Sequence, residues 1–91
     1  MLVLPAELTH DDAAACARML AQALRSESGP HVVADASPLH QFDSSALAVL
    51  LDCRREALVA GKSFAVSGLS PRLRELAGVY GVSELLAPPG G

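Results

Sequence analysis

The chain has 91 residues, of which 51% are hydrophobic and 19% are charged, and its formal net charge at pH 7 is −3. This length predicts a single domain over residues 1–91 with a loose tail at Pro88–Gly91, and the hydrophobic content excludes intrinsic disorder. The negative charge and the scarcity of aromatic side chains argue against a nucleic-acid partner. No segment approaches the ~20 apolar residues of a membrane span or has the pattern of a signal peptide. We therefore expect a cytoplasmic protein that does not insert into a membrane.

The first part of the chain predicts a short strand followed by an amphipathic helix. The apolar run Leu2–Leu4 predicts the strand, which Pro5 ends. Thr9 and Asp12 have the spacing of a capping box, a common start of a helix. Apolar residues then recur with helical periodicity to about Arg25 and define the predicted inner face: Ala13, Cys16, Ala17, Leu20 and Leu24.

The middle of the chain predicts a buried strand, a loop and a second helix. His31–Ala36 is short and apolar, as expected of a strand inside a parallel sheet. Ser37–Gln41 is predicted to be a loop, and Asp43 is expected to cap a helix that ends at Gly61. The predicted inner face of this helix consists of Leu47, Leu50, Leu51, Arg54 and Leu58.

A third strand and a third helix complete the pattern. Ser63–Ser67 predicts the strand, and Ser70–Pro71 has the residue types of a helix start. Leu73, Leu76, Ala77 and Tyr80 mark the inner face of that helix, Gly81 its end, and Val82–Leu86 a last strand or a short final turn. This alternation predicts an α/β fold with a mostly parallel sheet and helices packed against it.

Residue types that support catalysis or cofactor binding are present, but their spacing does not match known motifs. The three histidines are far apart, the cysteines lack a CxxC pair, and no glycine-rich phosphate loop follows a strand. Ser44, Ser45, His40 and Asp43 include the residue types of a hydrolase, yet the GxSxG pattern is missing. We therefore predict no enzymatic activity, no metal and no cofactor, and we expect the two cysteines to be reduced core residues.

The sequence Phe42–Leu47 at the predicted start of the second helix allows two interpretations. In the first, Asp43 is a good N-cap that accepts a hydrogen bond from the backbone N–H of Ser45 or Ala46. In the second, the helix start is a docking surface or a switch. A phosphate on Ser44 or Ser45 would lie favourably on the helix dipole but close to the carboxylate of Asp43.

Residues 32–50 resemble the signature of the STAS domain family. A hydrophobic strand ends in Asp35, a second aspartate follows eight residues later at Asp43, and Ser44-Ser45, a small residue and Leu47 open a helix. The resemblance extends to residues 4–9, 61–68 and 73–86, so it covers most of the chain. It implies the α/β STAS fold and a function in protein–protein interaction. Many family members have glycine where this chain has Ala46.

The resemblance implies one of two main functions, and other STAS functions, including nucleotide sensing, are the third alternative. Compact MlaB-like members are cytoplasmic subunits of bacterial phospholipid-transport ABC complexes, bind the MlaF-like ATPase subunit, and reach the permease and the inner membrane through it. Anti-sigma factor antagonists are instead phosphorylated by a serine kinase that is itself an anti-sigma factor. Ser44 aligns with the threonine of the MlaB pattern and Ser45 with the serine modified in antagonists. The short N-terminus favours the first group, and the Ser-Ser pair favours the second.

The resemblance also implies which residues form the site. Val49 falls on a polar helix face with Ser45, so it is either an isolated surface valine or part of an interface patch with Leu39 and Phe42. The predicted docking residues are Asp43, Ser44, Ser45, Ala46 and Val49, with Ser45 and Ser44 as candidate phosphorylation sites and with Asp35, Ser37, His40 and Phe42 in the nearby loop.

Overall fold

The three strands and three helices that the hydrophobic patterns predict are present in the predicted order. The structure, a computed structural model, describes residues 1–89. Its elements are β1 (Leu2–Val3), β2 (Glu7–Leu8), α1 (Ala13–Arg25), β3 (His31–Asp35), β4 (Gln41–Phe42), α2 (Ser45–Val59), β5 (Ser63–Ser67), α3 (Pro71–Val79) and a final 3-10 turn (Ser83–Leu86). The predicted α/β class is confirmed. The predicted loose tail includes Gly90 and Gly91, which lie outside the described residues.

The main sheet has three parallel strands in the order β1-β3-β5. Leu2, Ala34 and Val66 are aligned across the three strands and are buried. Residues aligned in this way lie on one face of the sheet, and this face packs against the helices. The mostly parallel sheet that the alternating elements predict is therefore present.

A second, two-stranded parallel sheet joins β2 and β4 and was not predicted from the sequence. Glu7 is aligned with Gln41, and Leu8 with Phe42. The carbonyl of Ala6 also accepts hydrogen bonds from the backbone N–H groups of His40 and Gln41, at 2.9 and 3.1 Å. These bonds end the predicted loop and hold Phe42 directly before α2.

The start of α3 follows the predicted capping chemistry, and the start of α1 follows it only in part, because the N-cap of α1 is Asp12 and not Thr9. At α1, the Asp12 carboxylate accepts hydrogen bonds from the backbone N–H and the hydroxyl of Thr9, at 3.3 and 3.1 Å. At α3, the Ser70 hydroxyl accepts a hydrogen bond from the backbone N–H of Leu73, and Pro71 is the first helical residue. A side-chain capping bond therefore marks the start of α3, whereas the bonds at Thr9 order the turn before α1.

The inner faces of α1 and α2 agree with the sequence prediction to different degrees. In α1, Cys16, Leu20 and Leu24 are buried as predicted. In α2, the predicted inner residue Leu58 is exposed, and the buried residues are Ala46, Leu47, Val49, Leu50, Cys53 and Ala57. The prediction followed the leucines, but α2 packs closely against α1 and β5 through small side chains as well. Tyr80, predicted to face inward at the end of α3, is also exposed.

The core of the described residues contains only apolar side chains and two cysteines. Cys16 and Cys53 are free thiols buried between the helices, in agreement with their predicted core role. Burial, with smaller effects from nearby ionisable groups, raises the pKa of the Cys53 thiol to about 12 and also raises that of Cys16. Both thiols are therefore protonated near neutral pH.

Gly68 allows the loops after β3 and β5 to approach each other closely. Its φ is +72°, and a Cβ at this position would lie 2.8 Å from the Cβ and the backbone nitrogen of Ser37. A hydrogen bond of 2.8 Å from the N–H of Ala36 to the carbonyl of Ser67 fixes this approach. Only glycine satisfies both the backbone conformation and the short separation.

Gly68→Ala is therefore expected to lower the free energy of unfolding by about 2 kcal/mol or more, because the substitution adds a steric clash to the strain of a positive φ. Gly61→Ala is the matched control. Gly61 has a φ of +75°, but a Cβ added there would meet no heavy atom within 4 Å, so its loss should be about 1 kcal/mol. Urea denaturation measures both values. Equal losses would contradict the close contact with Ser37.

Candidate functional site

The carboxylate of Asp43 joins the loop before α1 to the start of α2. One oxygen accepts a hydrogen bond of 2.8 Å from the backbone N–H of Ser45, as the sequence predicts. The other accepts a hydrogen bond of 2.9 Å from the backbone N–H of His10, a residue 33 positions away in the chain. Asp43, the residue before the N-cap Ser44, therefore accepts a hydrogen bond from the first N–H of α2 and also holds a distant loop beside it.

These two hydrogen bonds lower the pKa of Asp43, because both stabilise the ionised carboxylate. The bond from His10 makes the largest contribution, followed by the bond from Ser45. The side chain is exposed to solvent. The start of α2 therefore carries an ionised carboxylate whose oxygens both accept backbone hydrogen bonds.

Ser44 and Ser45 differ in exposure. Ser44 occupies the N-cap position in a helical conformation, makes no side-chain capping bond and is exposed. Ser45 is the first residue of α2 and is half-buried. Of the two candidate modification sites, Ser44 is therefore the more accessible to a partner or an enzyme.

Two residues predicted to form the docking surface lie in the core. Val49 is only 2% exposed, and Ala46 is fully buried. The predicted outward direction of Val49 was wrong, because the buried face of α2 is wider than its leucines indicate. Neither side chain can touch a partner in this conformation, so the candidate site keeps Asp43, Ser44 and Ser45.

Of the predicted loop residues, Asp35 and Ser37 bond to each other after β3, His40 lies beside Pro38, and Phe42 lies next to Asp43. Asp35 accepts hydrogen bonds from the hydroxyl and the backbone N–H of Ser37, at 2.7 and 3.0 Å. These bonds lower the pKa of Asp35, with the hydroxyl making the larger contribution. The exposed His40 has Nδ1 3.3 Å from the carbonyl of Pro38. Within residues 1–89, no hydrogen bond connects Asp35, Ser37 or His40 to Asp43.

Phe42 lies in an open groove between the start of α2 and the outer flank of α3. The groove has a volume of about 410 Å³, and its other lining residues are Asp43, Ser44, Arg72, Glu75, Leu76 and Val79. The guanidinium carbon of Arg72 lies 5.4 Å from the centre of the Phe42 ring, a cation–π distance. We call this set of residues the α2–α3 groove.

The α2–α3 groove combines apolar and charged groups as a protein-docking surface does. Val79 is 81% exposed, and the half-buried Phe42 and Leu76 extend this apolar area. Arg72, Glu75 and Asp43 supply charges around it. Apolar groups surrounded by polar ones are typical of interfaces.

The contribution of α3 to this site was not predicted from the sequence. The four groove residues of α3 lie on one stripe of the helix, because successive members are three, one and three residues apart: Arg72, Glu75, Leu76 and Val79. This stripe was visible in the sequence, but Leu76 was assigned to the inner face. The backbone of His10 gave no sequence signal, since every residue other than proline has an N–H group.

The chain forms a small α/β domain with an open groove beside α2 and α3, and a comparison with protein families identifies its class. A family model described as "Mlab, STAS domain" matches residues 1–87. The chain therefore belongs to the STAS domain family, and within it the match is to the MlaB type. No curated protein matches the sequence.

Two further properties of residues 1–89 bear on the site. Within this range, no three His, Cys, Asp or Glu side chains come together in a way that could hold a metal ion. None of the described helices is both long enough and apolar enough to cross a membrane.

Asp43→Ala is expected to lower the melting temperature by several degrees at neutral pH, because α2 loses its cap and the loop at His10 loses its anchor. The folded-state pKa of Asp43 is lowered, so its contribution to the stability of the fold is present above the ordinary carboxyl pKa. That contribution is lost as pH falls through the lowered value. The difference from the wild type should therefore shrink in acid.

Urea denaturation of both proteins, in steps from neutral pH to about pH 3, measures this dependence. Asp11→Ala is the control, since Asp11 is an exposed aspartate near the same loop. A difference between Asp43→Ala and the wild type that stays constant across this range would argue against the ionised cap.

Proposed function

We propose that this chain is a non-enzymatic accessory subunit that binds the ATPase of an MlaFEDB-type ABC lipid transporter. In this function it regulates or stabilises the ATPase in bacterial phospholipid trafficking. It lies on the cytoplasmic side and reaches the inner membrane only through the ATPase and the permease. The α2–α3 groove is the observation on which the proposal rests, and the MlaB-type family match supports the choice of partner.

The contacts around the groove favour binding over hydrolysis. Both carboxylate oxygens of Asp43 accept hydrogen bonds from backbone N–H groups, and neither is bonded to an imidazole. Nδ1 of His40 lies beside the carbonyl of Pro38 rather than near a serine hydroxyl. A serine nucleophile needs a base and a group that orients that base, and the described contacts of these residues do not provide this arrangement.

The shape of the groove also supports docking. It is open, and Val79 projects almost completely into solvent beside Phe42 and Leu76. Burying such a side chain in a partner's pocket removes apolar area from water and stabilises the complex. Arg72 and Glu75 on the same stripe would select a partner with complementary charges.

A second candidate function is that of an anti-sigma factor antagonist controlled by serine phosphorylation. The exposed Ser44 hydroxyl makes no capping bond and is open to a kinase, whereas Ser45 is half-buried. A phosphate on either serine would be repelled by the ionised carboxylate of Asp43. This aspartate belongs to the signature that antagonists share, so it does not separate the two functions.

Purification of the tagged chain from its native cell, followed by mass spectrometry of the bound proteins, separates the two functions. We expect an ABC ATPase together with a permease. Recovery of a serine kinase of the anti-sigma type, with phosphate on Ser45 or Ser44 of this chain, would overturn the transporter proposal and establish the antagonist function.

Val79→Glu is expected to weaken binding to the purified ATPase by at least tenfold, because it places a charge in the apolar part of the groove. Val59→Glu is a matched control, since Val59 is 82% exposed at the end of α2 and does not line the groove. Circular dichroism verifies folding, and biolayer interferometry measures affinity. Equal weakening by both substitutions would argue that the groove is not the docking surface.

A further inference from the structure

A second hollow lies on the other flank of α3, where β5, α3 and the final 3-10 turn meet. Its volume is about 400 Å³, within the range of ~300–1,000 Å³ that is typical of small-molecule sites. Val66, Ala77 and Leu86 line it and are each at most 2% exposed. We call this hollow the β5–α3 cavity.

The backbone of the last described residues keeps this cavity in shape. The N–H of Val66 donates a hydrogen bond of 2.9 Å to the carbonyl of Ala87, which ties the end of the chain to the edge of the sheet. Pro88 continues from this bond and lines the cavity. The cavity wall is therefore set by a backbone bond and not only by mobile side chains.

The polar groups at the cavity are a guanidinium and a hydroxyl. Arg74 lines the cavity, and its Nη2 donates a hydrogen bond of 3.3 Å to the carbonyl of Leu69. A guanidinium has five N–H donors, so this bond orients Arg74 and leaves donors for a ligand. The hydroxyl of Ser83 is a second polar group in the lining.

The charge at this cavity is positive and uncompensated. The lining contains no acidic residue, and within residues 1–89 no carboxylate lies at salt-bridge distance from Arg74. By contrast, the α2–α3 groove on the other flank of α3 has Arg72 together with Asp43 and Glu75 in its lining. The β5–α3 cavity therefore offers an apolar floor and a cation that no described carboxylate neutralises, in a protein of net charge −3.

We propose that the β5–α3 cavity binds a small amphipathic carboxylate, such as an alkyl carboxylate. Its apolar tail packs against the half-buried Leu69 and the exposed Pro88, above the buried floor of the cavity, and its carboxylate accepts hydrogen bonds from Arg74 and Ser83. A planar guanidinium matches a carboxylate in geometry as well as in charge. This proposal does not depend on the proposed docking function, because its residues are separate from those of the α2–α3 groove.

The first test titrates the isotope-labelled full chain with octanoate and follows backbone amide resonances by NMR. We expect saturable shifts at residues of β5, α3 and the final turn. Octanol, which has the tail without the charge, and acetate, which has the charge without the tail, should each bind at least tenfold more weakly. Equal affinity for octanol and octanoate, or shifts confined to the α2–α3 groove, would overturn the proposal.

The second test compares two arginines of the same helix. Arg74→Gln is expected to weaken octanoate binding about tenfold through loss of the charged hydrogen bonds. Arg72→Gln, on the other flank, should leave the affinity unchanged, and both substitutions are at exposed positions that should not prevent folding. Equal losses in the two variants, or no loss in Arg74→Gln, would contradict the assigned site. The comparison of octanoate with octanol on the wild type needs neither variant.

Discussion

The position of the candidate site depends on one carboxylate that accepts hydrogen bonds from two distant parts of the backbone. Asp43 bonds to Ser45 at the start of α2 and to His10 before α1. A helix start has free N–H donors and a partial positive charge, so an ionised carboxylate is stable there. Because the second bond spans two elements, the same side chain that caps the helix also fixes the loop beside the site.

The short pairing of β2 with β4 also fixes the backbone beside the site. It is the part of the fold that was not predicted from the sequence. Longer strands such as β3 and β5 were predicted because their apolar runs give a clear pattern. A pair of two-residue strands gives no periodic signal. The pairing of Glu7–Leu8 with Gln41–Phe42 becomes visible only when β1 and β3 bring the two segments together.

The candidate site, like the fold, was predicted only in part from the sequence. The residues that were wrongly placed on its surface have a common physical cause. The local chemistry of Asp43, Ser44 and Ser45 could be predicted, since a cap depends on residues close in sequence. The burial of Val49 could not, because it depends on how closely α1 approaches α2. The buried residues of α2 include Ala46, Cys53 and Ala57, so small residues widen the buried face beyond the leucine stripe.

The helix α3 separates the α2–α3 groove, which we propose docks a protein, from the β5–α3 cavity, which we propose binds a carboxylate. Arg72 and Arg74 are two residues apart, a spacing at which side chains on a helix do not face each other. The buried Leu73 and Ala77 hold α3 against the core, and the cap at Ser70 fixes where the helix begins. A partner in the α2–α3 groove and a carboxylate in the β5–α3 cavity would therefore contact different flanks of one anchored helix. Any coupling between them would require a displacement of α3, since a ligand shifts an equilibrium only when it binds two states with different affinity.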